Sequence, residues 1–145
     1  MRRGGLLVLA VVVLASCGGG GLGGGGGSAD AAVTFSPDPL AVGPVRWTVT
    51  ITNDSSDDLK LTFPSGQRAD VTLTKGTGTA YRWSRGQMFT QSVGHLTVGA
   101  GRNEAFALDE PGLDVDPGDY TLTAWVTATG AKDLKVTRQV TVRGR

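Results

Sequence analysis

From Ala31 onward, apolar and polar residues alternate along most of the chain. Val45, Trp47, Val49 and Ile51 are apolar, with Arg46, Thr48, Thr50 and Thr52 between them. A period of two puts each set on one face of a strand, so these residues predict a strand with one buried side. Leu59, Leu61 and Phe63 repeat the pattern, as do Val71 and Leu73, and again Tyr120, Leu122, Ala124 and Val126. Leu134, Val136, Val140 and Val142 form a last series, with Arg138 standing in the middle of the apolar row. Threonine at many of the outward positions suits strands and disfavours helices. Between the runs lie turn-forming clusters: Asn53-Asp54-Ser55-Ser56, Pro64-Ser65-Gly66, Lys75-Gly76-Thr77-Gly78, Gly99-Ala100-Gly101 and Asp116-Pro117-Gly118-Asp119. No run of helical periodicity competes with this reading. The expectation is an all-β domain over residues 31–145, an immunoglobulin-like antiparallel β-sandwich of about seven to nine strands, with a small barrel as the alternative. At about 115 residues such a domain can bury a core without disulfides. Trp47, Phe63, Phe106 and Trp125 are the expected large core members.

The first thirty residues follow a different pattern. Arg2 and Arg3 precede an unbroken apolar run from Leu6 to Leu14. Nine residues rise only about 14 Å as a helix, less than half of a bilayer core, so the run is too short to span one stably. It reads as a secretory signal over residues 1–16. Leu14-Ala15-Ser16-Cys17 resembles the bacterial lipobox, which implies lipidation of the Cys17 thiol and cleavage just before it. Two or more acyl chains would then hold the protein at a membrane. Residues 17–30 follow as the lipidated cysteine and a glycine-rich linker. Such a stretch buries too little apolar surface to offset its chain entropy. The expected location is the bacterial cell envelope, exported and membrane-anchored.

Composition narrows the chemistry. Of 145 residues, one is cysteine and one histidine, which excludes an internal disulfide and a conventional zinc site. Loss of Arg2 and Arg3 with the signal leaves twelve basic against thirteen acidic residues, so nothing favours a nucleic-acid partner. His95 and Met88 are too few soft ligands for a copper cage. Asp109, Glu110, Asp114, Asp116 and Asp119 crowd one segment, but their spacing does not match a helix-loop-helix calcium site. Gly76-Thr77-Gly78 lacks the lysine and helix of a phosphate loop. No nucleophile with its base and no tuned pair of carboxylates stands out, so the expectation is a protein that is not an enzyme, with no metal and no cofactor.

The densest unusual segment runs Tyr81-Arg82-Trp83-Ser84-Arg85-Gly86-Gln87-Met88-Phe89-Thr90-Gln91. Aromatics and arginine are common binding anchors. Period-two spacing also puts Tyr81 and Trp83 on one face, which favours burial of that face.

This segment and its neighbours carry a resemblance. Ile51-Thr52-Asn53 before an acidic turn, Leu61-Thr62-Phe63-Pro64-Ser65-Gly66-Gln67-Arg68 with Asp70 two places on, Tyr81-Arg82-Trp83-Ser84, Phe89-Thr90-Gln91, and Pro117 to Val126 come in order. Together they resemble the BsuPI family of intracellular proteinase inhibitors. The resemblance implies a β-sandwich that inhibits subtilisin-like serine proteases by loop binding. The loops open to that role are Pro64 to Arg68, Lys75 to Thr79 and Ser84 to Gln87. The candidate partner-binding residues are Gln67, Arg68, Arg82, Trp83, Arg85 and Phe89. Two departures stand out. The export signal would place any target protease outside the cytoplasm, and Ala69 and Val71 flank Asp70 where the family favours aromatics. The alternative is a non-inhibitory envelope module that binds another envelope protein through the same fold. A metal or solute carrier is a third and weaker reading.

Overall fold

The computed structural model describes residues 28–145. The signal segment, Cys17 and most of the glycine-rich linker lie outside the described residues. Nine strands follow in order: β1 (Ala29–Ser36), β2 (Gly43–Asn53), β3 (Leu59–Phe63), β4 (Ala69–Lys75), β5 (Gly78–Arg82), β6 (Gly94–Val98), β7 (Asn103–Leu113), β8 (Gly118–Val126) and β9 (Lys135–Val142). All strand pairings are antiparallel. One sheet has the order β1-β2-β7, a second β5-β4-β8-β9, and β3 pairs with β6 alone. The described residues thus form an all-β sandwich without helices, within the expected number of strands. Strand β1 begins at Ala29, two residues before the boundary read from composition, with Ala29 opposite Asn53 and Asp30 opposite Thr52.

The alternation of β2 becomes strict in three dimensions. Val45, Trp47, Val49 and Ile51 are buried, while Arg46 is exposed and Thr48 and Thr50 are half-covered. From the facing sheet, Val71 and Leu73 of β4, Tyr120, Leu122, Ala124 and Val126 of β8, and Val140 and Val142 of β9 join them in one core. Phe63 of β3 is fully buried and meets half-buried Phe106 of β7 edge-on, ring centres 6.3 Å apart. Trp125 departs from the expected core. It sits one residue off the buried parity of β8, so its ring lies half-buried on the outer face, beneath the Arg82 guanidinium at 5.5 Å. Its size suggested burial, and the strand period overrode size.

Arg138 interrupts the apolar row of β9 where that strand meets the margin of the sandwich. Its guanidinium lies over the Phe35 ring at 5.0 Å and donates to the Val33 carbonyl at 3.3 Å. The chain leaves β2 through Asn53, a buried polar residue. Its amide donates to the carbonyls of Val98 and Asp57, both at 2.9 Å, and its oxygen accepts from the Ser55 hydroxyl at 2.7 Å. An apolar residue of similar size would leave those carbonyls without partners, so the Ile-Thr-Asn motif is explained by the turn it stitches. The β4–β5 hairpin pairs Lys75 with Gly78, and its tip places Gly76 at φ +61°, a conformation that favours glycine.

Candidate functional site

The segment singled out from its aromatics and arginines leaves β5, the edge strand of its sheet, and passes over the outer face of β4. Asp70 of β4 anchors it. That carboxylate has no solvent exposure, although it sits in the strand's outward register. Its Oδ1 accepts from the main-chain N–H of Val71 at 2.9 Å and of Ser84 at 3.1 Å. Its Oδ2 accepts from the Ser84 hydroxyl at 2.6 Å and from Arg82 Nε at 2.8 Å. The Arg82 side chain is 48% exposed, so the ion pair has one buried and one solvated member. A buried carboxylate needs several such donors to offset its lost hydration. Here one comes from β4 itself and three from Arg82 and Ser84, at the start of the candidate loop. Ala69 and Val71, on either side, are fully buried.

Beyond Arg82 the chain is fastened residue by residue. The Trp83 N–H donates to the Val71 carbonyl at 2.9 Å, and its indole Nε1 donates to the Asp109 carbonyl at 3.0 Å. A turn follows in which the Gln87 N–H donates to the Ser84 carbonyl at 3.1 Å, with Gly86 at φ +81°. Phe89 then folds back against the Trp83 ring, centres 5.8 Å apart. Thr90 is held through its carbonyl, which accepts from the Gly66 N–H at 2.8 Å. Any side chain at Gly66 would strike Thr90, whose Oγ1 lies 2.5 Å from the place a Cβ would take. That contact joins the Pro64–Arg68 loop to the segment that follows the Ser84–Gln87 loop.

Arg68 lies over the Phe63 ring at 4.3 Å, packs against Gly94, and donates to the Ser65 carbonyl at 3.0 Å. Gln67 donates through Nε2 to the Ala69 carbonyl at 3.2 Å, and its own carbonyl accepts from the Thr127 hydroxyl at 2.7 Å. Five of the six candidate residues, Gln67, Arg68, Arg82, Trp83 and Phe89, therefore support one end of the sandwich. Arg85 is exposed beside them. The Lys75–Thr79 tip lies at the other end of β4, about 20 Å away for a seven-residue strand. Topology thus gathers two of the three candidate loops and separates the third. Sequence reasoning passed over Met88 as a contact residue, yet it is 96% exposed in the midst of this fastened segment. The sequence marks Met88 only as a soft ligand beside His95, and nothing in the local pattern shows that the fold leaves it uncovered.

The other chemical candidates have ordinary partners. His95, exposed on β6, faces the Thr62 hydroxyl through Nδ1 at 3.3 Å. Asp109 pairs with Arg46 at 2.6 Å, a contact that lowers the carboxyl's pKa and raises the guanidinium's. Asp119 accepts from the Thr141 hydroxyl at 2.6 Å, and Glu110 accepts from Tyr81. The Tyr81 hydroxyl donates to Glu110 Oε2 at 3.0 Å and accepts from Trp47 Nε1 at 3.2 Å. Burial, reinforced by the Glu110 carboxylate and opposed by the Trp47 N–H, raises the phenol above its ordinary value. Above about pH 10 the unfolded chain therefore sheds this proton while the folded chain keeps it. The stability tied to Tyr81 is complete below that pH and is lost as pH rises further. Urea midpoints of the wild type should fall more steeply above pH 10 than those of Tyr81→Phe. Parallel curves would show that the phenol does not titrate differently on folding.

The sandwich thus brings the Pro64–Arg68 loop and the Tyr81–Gln91 segment together at one end. A family model described as BsuPI, intracellular proteinase inhibitor, matches residues 30–131. The chain belongs to this family. No curated protein matches it. Among solved structures, the sporulation control protein Spo0M of Bacillus subtilis is similar over 82% of this chain and 51% of its own, at 13% identity and a TM-score of 0.50. This chain thus spans about half of Spo0M, and the likeness concerns the fold alone. A CARDB domain from Pyrococcus furiosus matches over 81% of this chain and 93% of its own, at 14% identity and a TM-score of 0.41.

Proposed function

We propose that this chain is an exported lipoprotein, tethered through Cys17 and its glycine-rich linker, whose sandwich inhibits a subtilisin-like serine protease by loop binding. The observation that carries the reading is the Asp70 anchorage. It ties the base of an exposed loop to the sheet through both Ser84 donors and Arg82. A loop already held in shape loses little entropy when it docks, so a modest contact area can bind tightly without chemistry of its own. The family's inhibitor description supports the same reading. A second reading, an envelope interaction module that inhibits nothing, is favoured by the export-type N-terminus, which departs from the compartment in the family's description.

The test is a titration of the full-length chain, purified in mild detergent, against purified subtilisin-like proteases. The inhibitor reading expects saturable loss of activity at one-to-one stoichiometry that persists on long incubation. Proteases that stay fully active beside a folded chain would overturn it in favour of the interaction module. In cells, Cys17→Ser should move the chain out of the membrane fraction; an unchanged distribution would sink the anchor.

A further inference from the structure

We propose that Met88 is the side chain this domain inserts into the primary specificity pocket of its target, and that the target is a protease whose pocket is deep and apolar. The inference rests on the inhibitor reading and specifies the contact within it. Among the described residues, the exposed large apolar side chains are Met88, at 96%, and Val93, at 62%. Both lie in the connection between β5 and β6. An apolar side chain left in water here gains nothing for the fold, since no group of the domain covers it. Of the two, methionine is the longer and is unbranched, with a polarizable thioether that adapts to an irregular apolar pocket. Val93 is short and stiff at χ1.

The setting of Met88 is that of a presented anchor. Ser84 before it is bound to Asp70, Gln87 is bound back to Ser84, Phe89 after it rests on Trp83, and Thr90 is held by Gly66. Met88 lies between these fixed points with its side chain in water. Its main-chain N–H and C=O have no backbone partner among the described residues, which leaves them open to pair with an extended strand in a protease cleft. Arg85, the other exposed candidate, is in the turn itself. Its N–H donates to the Arg82 carbonyl, and Gly86 follows with a positive φ, so the backbone there is bent and cannot lie extended in a cleft. No acidic residue occurs from Val71 to Asn103, so no carboxylate of that stretch has to be desolvated on docking.

The experiment compares the full-length chain with Met88→Ala, Met88→Leu, Met88→Asp and Met88→Lys against subtilisin and against trypsin, whose pocket carries a carboxylate. Wild type and Met88→Leu should inhibit subtilisin alike. Loss of a central anchor should weaken inhibition about 30-fold or more in Met88→Ala, and Met88→Asp should weaken it further. Met88→Lys should shift inhibition towards trypsin. Thermal melts of all four variants should match the wild type, since the side chain is exposed. If the wild type inhibits subtilisin and Met88→Asp does so equally well, the inhibitor reading stands and the Met88 assignment falls. If the wild type inhibits trypsin but not subtilisin, the apolar pocket is wrong. If it inhibits neither, the inhibitor reading fails and this assignment with it.

Discussion

Replacing Trp47 by alanine should lower the unfolding free energy by about 3–5 kcal/mol, the range for removing a large aromatic from a packed core. The indole is fully buried and touches both layers of the fold. It meets Phe35 of β1 edge-on with ring centres 6.0 Å apart, and Tyr81 of β5 at 5.9 Å. It also donates to the Tyr81 hydroxyl. Alanine therefore leaves a cavity between the sheets and removes a donor from a half-buried phenol. Domains of this kind have about 5–15 kcal/mol in total, so the loss is a large share of it. A fall in Tm on the order of 10–20 °C is expected by calorimetry. Trp47→Phe should cost less, because it keeps most of the apolar volume and loses the N–H. Equal melting of Trp47→Ala and wild type would mean that the two sheets do not meet through this residue.

Asp70→Ala should cost about 2–4 kcal/mol, because the Ser84 N–H and hydroxyl and the Val71 N–H lose their acceptor in a covered position. The cost stays below that of stranding a buried charge. Arg82, the charge left behind, is half-exposed and can turn to water. Asp70→Asn should cost less, since one amide oxygen can still serve the two main-chain donors bound by Oδ1. The distinguishing readout is local. Amide hydrogen exchange at Ser84 and Gln87 should accelerate in Asp70→Ala beyond what its global stability explains, because the turn loses its tie to β4. Unchanged exchange there would show that the loop holds its shape without the carboxylate, and would remove the main support for preorganised binding.

The alternation of β2 and β8 was legible without a structure because burial of one face leaves a period-two trace in the residues themselves. The Pro64–Arg68 and Tyr81–Gln91 motifs were legible as unusual, and their resemblance to an inhibitor family was sound. Their division of labour was not legible. Gln67, Arg68, Arg82 and Trp83 carry the chemistry of binding residues, and the fold uses each of them in internal contacts. Met88, weighed from sequence only as a soft metal ligand, is left in water.

The all-β class, the positions of most strands and turns, and the family can be read from the linear chain alone. Those properties follow from local periodicity, turn chemistry and residue order, all of which a linear chain displays. The tertiary structure decided which strands neighbour one another, and with that which loops share an end. Asp70 and Ser84 are fourteen residues apart, and Gly66 and Thr90 twenty-four, and only the pairing of β4 with β5 and of β3 with β6 brings each pair into contact. Burial of Asp70 on an outward register and exposure of Met88 are likewise properties of that assembly, since solvent access depends on what the rest of the chain covers.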